Sequence, residues 1–237
     1  MSAAALDAGA AAQLVGFGLT PRLRPAADPA YEALVARFDA DAVFADVVGH
    51  VAGGLGLAVL DVGASGIVLA PAPESPFALR LSDYRANLSV HERLLHGLIH
   101  LGVAAYCYPT ATSLADGDVR VCSVAGVERF LRDAATRLRE QHGERDPDAD
   151  APELEQAWRL YLRRQAARDT ADGRAGVSTT MAMVRYAMER LAEQGMLART
   201  SDAEGGTYRA LHRYRVEVRE LAATQAYRVL AAAGTGG

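Results

Sequence analysis

Three histidines fall within ten residues, in the run His91-Glu92-Arg93-Leu94-Leu95-His96-Gly97-Leu98-Ile99-His100. His96 and His100 stand at i, i+4, so a helix puts both imidazoles on one face, as a zinc site requires. The segment from His91 to His96 is one residue longer than the His-Glu-x-x-His pattern of zinc proteases, and no spacing marks a third ligand. The competing reading is a histidine-bearing helix face, solvated or at an interface, with mild sensitivity to pH. We expect no metal. Gly53-Gly54-Leu55-Gly56 has the glycine content of a dinucleotide loop. Such a loop needs a strand before it and a helix N-terminus after it, to present amides to phosphate. Here a helix precedes and a strand follows, so the glycines serve a turn. No nucleophile elbow, catalytic carboxylate pair or Cys–His signature is present. All 25 basic residues are arginine, which excludes a Schiff-base lysine and a P-loop. No motif here recommends an enzyme.

The elements that carry these residues are those of a folded protein. Of the 237 residues, 50% are hydrophobic and 23% charged, enough apolar material for one large or two small cores. No run approaches the roughly 18 apolar residues that cross a bilayer. Met1 to Leu14 lacks a basic leader, so it does not read as a signal peptide, and a cytoplasmic, nucleoid-associated location is expected. Cys107 and Cys122, the only cysteines, read as reduced and partly buried. Charge is uneven: residues 1–150 carry a net −7 and residues 151–237 a net +3. That balance suits a protein partner, with DNA contact confined to the C-terminal side.

Pro21, Pro25 and Pro29 punctuate an Ala-rich start, so residues 1–29 read as a flexible arm. Helical spacing runs from Tyr31 to Val51 and ends at Gly53-Gly54. Leu57–Leu60 and Ile67–Ala70 flank a turn and predict a β-hairpin. Ser89 with Glu92 forms a capping box for a helix that stops before Pro109. Its apolar residues are Leu94, Leu95, Leu98, Ile99, Leu101 and Val103. A short strand over Val119–Val124 and a helix from Val127 to Leu138 complete an N-terminal domain, residues 30–142. The charged run around Pro147 and Pro152 marks a linker at 143–152. In the C-terminal domain, 153–237, a helix over Glu153–Ala167 and a turn at Asp172–Gly176 lead to a second helix, capped by Ser178 or Thr179. Gly195 ends that helix. Met196–Thr200 and Thr207–Leu211 form a hairpin, and a single helix follows over Arg213–Ala232.

Helix, turn, helix and glycine-tipped hairpin is the winged-helix order. The step Leu191-Ala192-Glu193-Gln194-Gly195-Met196-Leu197 carries much of it, because Gly reverses the chain at positive φ into the first wing strand. The fold class expected is therefore α+β, mainly helical, with two tandem winged-helix-like domains. On the second helix, Thr179, Thr180 and Arg185 are the outward positions able to touch phosphates or bases. Arg174 in the turn, Arg199 and Arg209 flanking the wing, and Arg213 and Arg215 beyond it complete the DNA-binding candidates. A solvated Arg–Glu surface, with Arg185/Glu189 as an i, i+4 pair, is the competing reading.

Across the hairpin Leu57–Ala70, the helix Ser89–Tyr106 and the run from Ser178 through Tyr214 to Leu221, the chain resembles the tandem winged-helix subunits that bind kleisins in SMC-type complexes. This is the MukE, MksE and ScpB-like group, with the corresponding Wadjet plasmid-defence subunit. The resemblance lies in order, size and acidity. It implies a homodimer that clamps a kleisin and helps an SMC-like ATPase handle DNA, in chromosome organisation or plasmid defence, performing no chemistry itself and needing no cofactor. The alternative is a winged-helix transcriptional regulator. A metal-dependent enzyme around His96 and His100 is the third reading.

Overall fold

The computed structural model describes residues 3–78, 88–142, 152–167 and 179–235. Its architecture is α+β and mainly helical, with two small antiparallel sheets. The chain divides into two compact units, Met1–Leu79 and Arg80–Gly237. Among the described residues no helix is long and apolar enough to cross a membrane.

The first unit begins with helix α1 (Ala3–Gly18), followed by a 3-10 turn, α2 (Pro29–Ala40), α3 (Ala42–Gly54) and the hairpin β1 (Leu57–Gly63) and β2 (Gly66–Pro71). The expected flexible arm is thus largely a packed helix. Ala11 and Leu14 are fully buried and Val15 nearly so, at the i, i+3, i+4 spacing of one helix face, and α1 lies on α3 and β2. Alanine is the best helix former, and its small side chain lets α1 sit close to its neighbours. The continuous helix expected from Tyr31 to Gly54 is two helices. Asp41 adopts an extended conformation, and its carboxylate accepts from the amides of Val43 and Phe44, both at 3.1 Å. Asp28 caps α2 in the same way, through Ala30 and Tyr31, with Pro29 in the first turn.

Tyr31 ties this unit together. Its ring stacks on Phe17 at 4.7 Å, and its hydroxyl accepts the Ile67 amide at 2.8 Å in a buried position. The hairpin turn closes against that hydroxyl. Gly66 has φ +97°, and a Cβ there would fall 2.1 Å from the Tyr31 hydroxyl oxygen, so only glycine fits.

The second unit holds α4 (Val90–Cys107), α5 (Ala111–Ala115), β3 (Val121–Ser123), α6 (Val124–His142), α7 (Pro152–Leu162), α8 (Thr180–Glu193), β4 (Leu197–Ser201), β5 (Thr207–Ala210), α9 (His212–Leu221) and α10 (Gln225–Thr235). The Ser89/Glu92 capping box is present. So is the chain reversal at Gly195, with φ +71° and the Met196 amide bonded back to the Leu191 carbonyl. The expected last helix is two, broken after Leu221 where Thr224 precedes α10. β3 joins the β4–β5 hairpin as a third strand, in the order β3-β5-β4.

The domain boundary differs from the one expected at 143–152. One hydrophobic core gathers Leu95 and Ile99 of α4, Leu131 of α6, Trp158 and Tyr161 of α7, Met188 of α8, and Tyr227 and Leu230 of α10. Helix α4, expected in an N-terminal domain, therefore belongs with the C-terminal elements. Of the expected linker, 143–151 lies outside the described residues and Pro152 opens α7. Gly102 marks how closely α4 and α6 approach, since a Cβ there would lie 2.3 Å from Leu131. Cys107 and Cys122 are both buried in this core and are not joined by a disulfide. A hydrogen bond to Cys122, then burial, pushes the Cys107 thiol well above its ordinary range.

Tyr31→Phe keeps the ring and strands the Ile67 amide in a buried site. We expect a loss of about 1–3 kcal/mol, measured by urea unfolding, with the first unit unfolding earlier.

Candidate binding surfaces of the second unit

The sequence candidates separate into buried, anchored and outward groups. Thr179 and Thr180, expected to face DNA, are 2% and 0% exposed. Thr179 is the N-cap of α8, its hydroxyl accepting the Ala182 amide at 3.3 Å. The Thr180 hydroxyl donates to the Glu128 carboxylate at 2.8 Å and accepts from Arg132 at 2.9 Å. Arg132 also clamps Glu128 through Nε at 2.9 Å and Nη2 at 2.6 Å, and lies 5.4 Å from the centre of the Tyr161 ring. The segment after α7 completes this node: the carbonyls of Gln165 and Ala166 accept the amides of Thr180 and Met181, both at 3.1 Å. Two amides of the α8 first turn that would attract an anion are already satisfied by the chain itself. This burial overturns the assignment of Thr179 and Thr180 as DNA contacts.

Arg185 is half-buried and donates to the Gly205 carbonyl at 3.2 Å, tying α8 to the tip of the β4–β5 hairpin. No residue from Thr180 to Ala192 is fully exposed, because α4, α6 and β4 pack around α8. Arg215 donates to the Asp116 carbonyl, and Arg219 to the Leu114 carbonyl at 3.2 Å, so both cap the end of α5. Arg213 pairs with Glu217 at 3.4 Å, its side chain 16% exposed. Arg215 and Arg219 thus tie α9 to α5, whereas the Arg213–Glu217 pair lies within α9. Arg199 and Arg209 do face outward. Arg199 pairs with Asp202 at 2.6 Å on the hairpin, and Arg209 sits on the central strand between Val121 and Ala198. Arg174 lies outside the described residues.

The three histidines differ in their surroundings: His91 is exposed, His100 half-buried and His96 buried. His96 is buried and meets the Tyr186 ring edge-on at 6.1 Å. Burial, reinforced by neighbouring His96, lowers the His100 pKa to about 4. Among the described residues no group of three or more His, Cys, Asp or Glu side chains is placed to hold a metal ion.

A surface the sequence did not mark lies on another face of α4. Val90, Leu94, Gly97, Leu98 and Leu101, with Leu154 and Ala157 of α7 and Ala226 of α10, line a groove of about 350 Å³. Arg93 and Glu153 supply its charged groups. The signal was present as excess width. Leu95 and Ile99 face the core, whereas Leu94 and Leu101 are only partly covered, so the six apolar residues noted on α4 span more than one stripe.

No protein-family model, no curated protein and no solved structure matches this chain.

Thr180→Val preserves shape and removes two hydrogen bonds from the Glu128–Arg132 node. We expect a loss of about 1–3 kcal/mol in chemical denaturation and no change in duplex binding by the purified chain. His100 gives a pH signature. Its folded pKa of about 4 lies below the unfolded value near 6.5, so the unfolded chain binds the extra proton. Stability is therefore full above pH 6.5 and falls as pH drops toward 4. Thermal melts between pH 7 and 4 should show this fall, and His100→Phe should flatten it.

Proposed function

We propose that the chain is a non-catalytic, partner-binding subunit built from two winged-helix-like units, which dimerises and holds a kleisin beside an SMC-like ATPase. The order of the second unit is the observation that carries this reading. A helix leads to strand β3, more helices follow, and the closing hairpin inserts β5 between β3 and β4. In a winged helix the early strand pairs in this way with the last wing strand. The first unit supports the same reading with three helices followed by a hairpin.

The placement of the arginines favours a protein partner over direct DNA reading. On α8, the helix expected to enter a groove, Thr179 and Thr180 are buried and Arg185 is committed to the hairpin tip. Sequence-specific readout needs side chains that reach base edges. Arg199 and Arg209 remain for contacts to phosphate, which give weak, salt-dependent and sequence-independent affinity. The ATP site lies on another polypeptide in this reading, and the chain acts in the cytoplasm, on the nucleoid, through the complex.

Affinity purification of the tagged chain from its native host, followed by mass spectrometry, tests the proposal. The expected result is co-enrichment of a kleisin and an SMC-like ATPase in near-stoichiometric amounts. The isolated chain should run at twice its 25.1 kDa in light scattering. Arg209→Glu should lower its duplex affinity equally for unrelated sequences. Tight binding to one short duplex, with neither protein recovered, would assign the chain to transcriptional regulation instead.

A further inference from the structure

We propose that Cys107 and Cys122 are a reversible redox pair, which closes into a disulfide and fastens the end of α4 to β3 when a peroxide oxidises the chain. The pairing is independent of which partner the chain binds. Cys107 is the last residue of α4 and Cys122 the middle residue of β3, fifteen residues further on. The helix packs on the strand, and the Cys107 thiol hydrogen-bonds to Cys122. A disulfide requires two sulfurs that face each other across β-carbons roughly 3.8 Å apart. Thiols in hydrogen-bond contact already face each other, so closure asks for a small shift. Cys107 can supply it, because the next residue, Tyr108, has left the helix, with φ −135° and ψ 66°.

The surroundings select the product. Cys107 and Cys122 are 3% and 1% exposed. Tyr108, Tyr214 and Tyr227 lie around Cys107, with the Tyr227 hydroxyl donating to the Tyr108 carbonyl. A large, charged thiol such as glutathione has no room to cap either sulfur in this core. Hydrogen peroxide is small and uncharged. The bond to Cys122 and burial keep the Cys107 thiol protonated, so Cys122 is the sulfur that reacts first. A sulfenic acid formed there has the other thiol in contact, and condensation outruns further oxidation.

The chemistry balances with hydrogen peroxide as the oxidant. The Cys122 thiolate attacks one peroxide oxygen, the O–O bond breaks, and the sulfenic acid and hydroxide form. The hydroxide takes up the proton that Cys122 released and leaves as water. The Cys107 sulfur then attacks the sulfenic sulfur. The S–S bond forms, the S–O bond breaks, and the Cys107 proton leaves with the hydroxyl as a second water. Two thiols are oxidised and one peroxide is reduced to two waters. The new bond closes the segment that carries α5, to which Arg215 and Arg219 already bind. It also fixes β3, the strand that pairs with β5.

The test treats the folded, reduced full chain with hydrogen peroxide, then alkylates it with iodoacetamide in denaturant and weighs it. The expected product is about 2 Da lighter than the reduced chain, the two hydrogens lost, and takes up no alkyl group. Proteolysis should yield one linked peptide pair holding Cys107 and Cys122, and dithiothreitol should restore two alkylatable thiols. The oxidised chain should melt about 5 °C higher, because a fifteen-residue loop is closed in its unfolded state. Cys107→Ala and Cys122→Ala should each abolish the 2 Da loss. Two thiols still alkylated after oxidation overturn the proposal. So does a disulfide found only between two chains, or only when peroxide is added in urea. Sulfinic or sulfonic acid as the main product, or an oxidised chain that melts lower, overturns it equally.

Discussion

The second unit depends on the pairing of β3 with β5. The two strands meet over Val121–Ser123 and Thr207–Arg209, more than eighty residues apart in the chain. The contact extends at both ends, through Ala210 bonded to the Arg120 carbonyl at 2.8 Å and Val124 bonded to the Gly206 carbonyl at 3.0 Å. Closing so long a loop is entropically costly, and the ladder forms only because a core forms with it. Once β3 is fixed, α6 is fixed, since it begins at Val124 directly after the strand. Its first turn is held by the Ser123 hydroxyl, which accepts the Gly126 amide at 3.0 Å. Helix α6 then delivers Glu128 and Arg132 to the N-terminus of α8. Strand pairing, helix start and the Glu128–Arg132 ion pair are consecutive consequences of one register.

Several arginines of the second unit tie its elements to one another. Arg132, Arg185, Arg215 and Arg219 each donate to a carbonyl, hydroxyl or carboxylate inside the unit. An arginine fork satisfies several acceptors at once, so these side chains serve as fasteners between elements distant in sequence.

What was legible in the sequence is what local chemistry decides. Ser89 and Glu92 specify a helix start within four residues, Gly195 a helix end, and the β1–β2 and β4–β5 hairpins a chain reversal. Elements fixed by distant partners were not legible. Helix α1 reads as filler because alanine gives little periodic signal, although Ala11 is as buried as Leu14. Thr179 and Thr180 look outward on a helical wheel. Nothing local announces that the carbonyls of Gln165 and Ala166 bond the amides of Thr180 and Met181. The domain boundary was drawn at a charged, proline-bearing stretch, whereas α4, α6 and α7 share one core across it. The groove escaped notice because apolar residues on two faces of α4 look alike in one dimension.

The tip of the β4–β5 hairpin carries a consequence for recognition. Glu204, Gly205 and Gly206 take φ of 54°, 81° and 125°, a run of left-handed backbone that an unrestrained loop would seldom keep. It is moored at two points, by the Ser123 hydroxyl donating to the Glu204 carboxylate and by Arg185 donating to the Gly205 carbonyl. A tip so restrained has little freedom left to lose on association. Whatever touches Arg199 and Asp202 meets a surface already set, and the ordering that flexible loops undergo on complex formation has been completed during folding.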